Sequence, residues 1–118
     1  KWALASDIGG GPFLSMFDVM RSFVAQNHKE KVYEATYVKA LYHATLAGAE
    51  MLKLKSTHGN LVKGKFANFL VLPKIQKPES LTPEMVLKRY IDKMRNQRGN
   101  YDALVKMVFY KGQMVFSQ

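Results

Sequence analysis

The sequence predicts a mixed α/β chain in the order strand, helices, then a small β-rich tail, and three observations predict it. The hydrophobic opening Trp2-Ala3-Leu4-Ala5-Ser6 reads as a short buried strand. Apolar residues then recur at helical spacing in three later stretches, and the last part of the chain alternates Phe-, Leu- and Val-rich runs with glycine turns.

The opening strand ends in an acid, Asp7, followed by Gly9, Gly10 and Gly11. An ionisable group at the end of a buried strand, next to a loop with free backbone, is a common place for α/β proteins to hold chemistry. Read locally, the same residues also fit an ordinary Asx turn. A first helix is predicted from Met16 to about Gln26. Ser15 is its N-cap, Asp18 sits near the positive end of its dipole, and Met16, Val19, Met20 and Phe23 lie on one face. Residues 27–31 are polar and read as a loop. A second helix is predicted from the N-cap Thr36, with Val38, Leu41, Tyr42, Thr45 and Leu46 on one side. Gly48 is expected to interrupt it and residues 49–54 to continue as another short helix.

Beyond residue 57 the texture changes. Gly59-Asn60 and Lys63-Gly64 are turn signals, and residues 66–72 form a predicted strand. Thr82-Pro83-Glu84 starts a helix with proline at its first position, and Met85, Leu87, Ile91 and Met94 make it amphipathic. Arg98-Gly99-Asn100 is a turn signal. Residues 103–110 and 113–116 flank Lys111-Gly112 as a hairpin. Neither the opening strand nor this small sheet finds enough partners within the chain, and the first residues fall directly inside a predicted strand. Both features lead to the expectation of a piece of a longer protein.

At 118 residues with no cysteine, one domain at most is expected, and neither a disulfide framework nor a thiolate zinc site is available. The longest apolar runs, such as residues 66–73, are too short to span a bilayer, so a soluble cytoplasmic protein without membrane contact is expected. Lys and Arg number 18 against 9 Asp and Glu. Such an excess raises the question of a polyanionic partner. The cations are spread along the chain, and only Lys88, Arg89, Lys93, Arg95 and Arg98 form a dense group, on a helix whose outer face would be charged in any case. Nucleic acid is therefore not the expected partner.

Two further patterns are weak. Gly59 to Lys65 fits G-x-x-x-x-G-K, but Phe66 follows where a phosphate loop needs Ser or Thr, and the stretch leads into a strand instead of a helix. His28, His43 and His58 have no metal-ligand spacing, and His43 reads as a packing or surface residue.

Taken together, the segments resemble the guanine deaminases of the amidohydrolase superfamily. Ser6-Asp7-Ile8-Gly9-Gly10-Gly11 with Ser15-Met16 is similar to the signature around the last barrel strand of that family. Ala44-Thr45-Leu46-Ala47-Gly48-Ala49 resembles its A-T-L-G-G-A helix segment. Gly59-Asn60-Leu61-Val62-Lys63-Gly64-Lys65-Phe66-Ala67-Asn68 resembles the stretch that re-enters its small β domain. Val108-Phe109-Tyr110-Lys111-Gly112-Gln113-Met114-Val115 resembles its closing hairpin. Asn68 stands where the family usually has Asp, with the expected loss of a structural hydrogen bond or ion pair, and Ala47 replaces a common glycine.

The resemblance implies the C-terminal fragment of a metal-dependent hydrolase. Residues 1–57 would be the end of a (β/α)8 barrel, its last strand and following helices. Residues 58–118 would be the C-terminal part of an accessory β-sandwich domain with an inserted helix. It implies a catalytic role for Asp7, as a ligand of zinc or a hydrogen-bond partner of the zinc-bound water, and as a proton shuttle in the hydrolysis of guanine to xanthine and ammonia. The remaining zinc ligands would lie in sequence before Lys1, so the chain alone is expected to be metal-free and inactive. The implied partners are the purine substrate, the preceding part of the same protein and further copies in a homo-oligomer. A related aminohydrolase acting on another purine, a pyrimidine or a triazine stays open, as does a basic, non-catalytic interaction module built on residues 88–98. A steep fall in polyanion binding with added salt would support that module.

Overall fold

The computed structural model describes residues 1–76, 80–95 and 104–118. The predicted turn at Arg98-Gly99-Asn100 lies outside them. Among the described residues, four helices and one small sheet follow in the order α1 (Met16–Lys29), α2 (Tyr37–Ala44), α3 (Leu46–Met51), β1 (Phe69–Val71), α4 (Pro83–Arg95), β2 (Met107–Tyr110) and β3 (Gln113–Ser117). This is a mixed architecture of helices and a small antiparallel sheet.

Ser15 caps α1 as expected, accepting a hydrogen bond from the Phe17 amide. The helix runs further than its apolar pattern, through His28 and Lys29, which the sequence placed in a loop. Two basic residues in a last turn suit the negative end of the helix dipole, and the His28 ring bonds to the Ala35 carbonyl at 2.9 Å. Asp18 is buried in the first turn and is held by the Arg21 guanidinium at 2.8 Å.

The second helix is satisfied at both ends by side chains and segments from elsewhere. A helix leaves its first amides and last carbonyls without partners of its own. On α2 the Tyr37 and Val38 amides each donate to the Glu84 carboxylate at 2.8 Å, and the Lys39 amide donates to the Thr36 hydroxyl at 3.2 Å. At the other end the Thr45 hydroxyl donates to the Leu41 carbonyl, the Thr45 amide to Tyr42, and the Leu4 amide to His43 at 2.9 Å. The break between α2 and α3 falls at Thr45 (φ −131°, ψ −85°), three residues before Gly48, which sits inside α3. Thr45 breaks the helix because its side chain and amide both turn back onto α2 carbonyls.

The core lies where α1, α2 and α4 meet, around Met20, Val24, Ala40 and Ile91, with Leu4, Phe17, Phe23, Tyr37 and Ala44 packed against them. The inward face of α2 is therefore Tyr37, Ala40 and Ala44. Val38, Leu41 and Tyr42, which the sequence placed together on one side of the helix, are exposed. Ala40, wholly buried, allows α1 and α2 to approach closely, and the bulkier side chains are turned outward by the same geometry. On α4 the buried anchor is Ile91, whereas Met85 is exposed. The Tyr90 hydroxyl adds a 2.6 Å bond to the Pro73 carbonyl.

The sheet has the order β1-β2-β3, all antiparallel. Phe69 and Phe109 face each other across β1 and β2 with stacked rings 4.5 Å apart. Lys111 (φ 49°) and Gly112 (φ 80°) form the two-residue turn, both left-handed as a type I′ hairpin requires. Asn68 accepts a 2.7 Å bond from the Lys111 amide, so the residue expected to forfeit a structural hydrogen bond makes one.

The opening residues 2–6 do not form the predicted strand. Among the described residues no strand lies beside them, and the Leu4 amide goes to a helix carbonyl instead of a ladder. A strand that is hydrophobic along its length needs neighbours on both sides, and here the segment stays unpaired.

Ile91→Ala is expected to destabilise the fold by about 2–5 kcal/mol, measured by urea unfolding, because it empties the site between three helices. Glu84→Ala is expected to cost about 1–3 kcal/mol through the amides it leaves without a partner.

Candidate functional site

The loop that carries Asp7 begins where the opening segment is fixed to α2. Besides the Leu4 bond, the His43 imidazole donates through Nδ1 to the Trp2 carbonyl at 3.1 Å. The Trp2 and His43 rings stack at 3.4 Å with an interplanar angle of 6°, and Phe23 of α1 closes on the indole at 5.4 Å. His43 is thus a packing residue, as its sequence context suggested.

Three residues after Leu4, Asp7 adopts a left-handed backbone (φ 48°), which aspartate tolerates better than most side chains. Its carbonyl accepts from the Gly10 amide at 2.8 Å and the Gly11 amide at 2.6 Å. The chain therefore reverses tightly and leaves the Asp7 side chain exposed. A cleft of about 280 Å³ opens beside it, between the loop and α1. Ser6, Phe13, Ser22, Phe23 and Gln26 line it together with Asp7. The sequence reading singled out Asp7 but not Ser22 or Gln26, which face the cleft only because α1 packs against the opening segment. Their positions i and i+4 on one helix face were the available signal.

One carboxylate at a tight turn can accept or deliver a proton and can supply one oxygen ligand. Among the described residues no group of three His, Cys, Asp or Glu side chains comes together. A zinc ion takes about three protein ligands, so the described residues do not by themselves make a zinc site.

A second cavity of about 280 Å³ is lined by Lys1, Trp2, Tyr42, His43, Ala47 and Glu50. Glu50 accepts from the Tyr42 hydroxyl at 3.1 Å and pairs with Lys55 at 2.6 Å. The Lys55 hydrogen bond, with that from Tyr42, lowers the Glu50 pKa below 4.5, and Glu50 in turn raises Lys55 above 10.5. This cluster ties α2 to α3 and the turn after it.

The glycine-lysine stretch is not an anion cradle. Lys65 donates to the His58 carbonyl at 3.3 Å, the chain runs on into β1, and a Cβ at Gly59 would collide with Ala49 and Leu46 of α3. In the basic group on α4, Lys88 pairs with Asp92 at 2.6 Å, which raises its pKa, and Arg89 donates to the Gln76 carbonyl. No helix among the described residues is long and apolar enough to cross a membrane.

No protein-family model matches the sequence, and neither does any curated protein. Among solved structures the fold is similar to that of guanine deaminase from E. coli, with a TM-score of 0.74 and 24% sequence identity. The match covers 98% of this chain and 27% of that one. The motif resemblance to guanine deaminases is thus met by a likeness in fold along nearly the whole chain.

Unfolding measured across pH tests the Glu50 cluster. Because the folded Glu50 pKa lies below its ordinary 4.5, its contribution is complete above that pH and is lost as pH falls through the lowered value. The stability difference between the native chain and Glu50→Gln is expected to shrink on acidification below 4.5. It is expected to shrink again in alkali as Lys55 deprotonates above 10.5.

Proposed function

We propose that this chain is the C-terminal part of a zinc-dependent aminohydrolase that converts guanine and water to xanthine and ammonia. Residues 1–57 would end its (β/α)8 barrel domain, and residues 58–118 would belong to its accessory β domain, with α4 reaching back onto α1 and α2. The observation that carries this reading is the Asp7 turn: an exposed carboxylate on a turn closed by backbone bonds to the Asp7 carbonyl, beside a cleft. The likeness to a guanine deaminase fold supports it, and the 27% coverage of that protein agrees with a part of a larger enzyme.

In this reading the zinc, when bound, lowers the pKa of a water molecule so that it can attack at neutral pH. Asp7 would supply one oxygen to that site; its carboxylate would accept one proton from the attacking water and deliver it to the departing amino nitrogen, while the second water proton ends on a ring nitrogen of the product. Water adds to the ring carbon that bears the amino group, the carbon–nitrogen bond breaks, and the nitrogen leaves as ammonia. The enzyme would work in the cytoplasm as a soluble homo-oligomer on a small purine. A related ring aminohydrolase stays the neighbouring possibility. The basic module is disfavoured by the Lys88–Asp92 pair, which already neutralises part of the α4 cation group.

The complete protein is expected to release ammonia from guanine and to form xanthine. Asp7→Asn is expected to lower kcat by about 10²–10⁴-fold, the usual weight of a positioned acid–base group. Activity on another ring amine but not on guanine would redirect the substrate assignment, and an inactive complete protein with bound zinc would overturn the reading.

A further inference from the structure

The three glycines after Asp7 meet different surroundings. A Cβ built on Gly11 would collide with the Ser6 carbonyl, so there the backbone itself leaves no room. A Cβ on Gly9 would meet nothing, although its φ of 98° disfavours any side chain. Gly10 differs from both. Its φ is not in the left-handed range, and the nearest atoms a Cβ would meet all belong to the Asp7 carboxyl group: Oδ2 at 2.5 Å, Cγ at 3.2 Å and Oδ1 at 3.5 Å. The Gly10 amide is meanwhile bonded to the Asp7 carbonyl at 2.8 Å, which fixes the Gly10 backbone relative to the residue it faces.

We infer that Gly10 is a positioning residue for the Asp7 carboxylate: its missing side chain is the space in which that carboxylate rests. The inference deepens the proposed function and rests on it for its catalytic meaning. A methyl group at Gly10 has one neighbour to displace, the far end of a flexible side chain, and the fold can absorb it. The carboxylate has to retreat by about 1 Å, the scale of misplacement that costs about 10²-fold in rate. The backbone turn, closed by the Gly10 and Gly11 amides, stays in place.

The test is Gly10→Ala in the complete protein, read by kinetics, thermal unfolding and a crystal structure. The expected result is a fall in kcat of about 10²-fold with KM changed by less than about threefold. Tm should be unchanged, and the Asp7 carboxylate displaced on an unmoved backbone. In Asp7→Asn, adding Gly10→Ala should bring no further loss of kcat, because the group it acts through is already disabled. If Gly10→Ala lowers Tm, this double variant decides: equality with Asp7→Asn alone supports the inference, and an additional fall overturns it. Unchanged kcat in Gly10→Ala beside a disabled Asp7→Asn overturns the positioning role and leaves the proposed function standing. Full activity in Asp7→Asn overturns the functional reading, and the catalytic meaning of Gly10 with it. A crystal structure of Gly10→Ala with an unmoved carboxylate overturns the steric premise directly.

Discussion

The Glu84 carboxylate bonded to the N-terminal amides of α2 is the contact on which the helical part of this chain depends. It joins residues 46 and 47 positions apart, satisfies two amides that an eight-residue helix cannot satisfy itself, and brings a negative charge to the positive end of the helix dipole. With α4 held there, Ile91 closes on Met20, Val24 and Ala40. The same short helix then offers its other end to the opening segment, through the His43 carbonyl and ring. One helix, too short to be stable alone, is thus fixed at both ends by distant parts of the sequence. The Asp7 loop inherits its position from that arrangement.

What the sequence disclosed follows from how local each signal is. Ser15, Thr36 and Pro83 mark helix starts by the chemistry of a few adjacent residues, and all three helices begin there. The hairpin was legible for the same reason, since Lys111-Gly112 carries its left-handed turn within two residues. The inward face of α2 was not legible. Periodicity favours Val38, Leu41 and Tyr42, whereas close approach of α1 selects Ala40, and only the partner helix can enforce that preference. The opening strand failed as a strand because a ladder is a property of two segments, and its hydrophobicity alone could not supply the second.

The candidate site shows the same division. Asp7 stood out from its neighbours and from the signature they form. Ser22 and Gln26 reached the cleft only through packing of α1 against the opening segment. The glycines were legible as conformational freedom, but their separate surroundings were not. One meets open space, one meets backbone, and one meets the carboxylate. Identical residues in a row have different meanings once the turn is built, and sequence order alone does not distinguish them.

The stack between Trp2 and His43 has a consequence of another kind. The chain contains a single tryptophan, and its ring lies 3.4 Å from the imidazole at the anchor of the opening segment. Its fluorescence therefore reports on one place, the seating of the segment that leads to Asp7, and not on an average over the core. The core carries its own aromatic side chains in Phe17, Phe23 and Tyr37. Loosening of the Asp7 loop can consequently be watched by indole emission while the helical core is followed independently by circular dichroism. The molecule contains an optical label placed by its own packing.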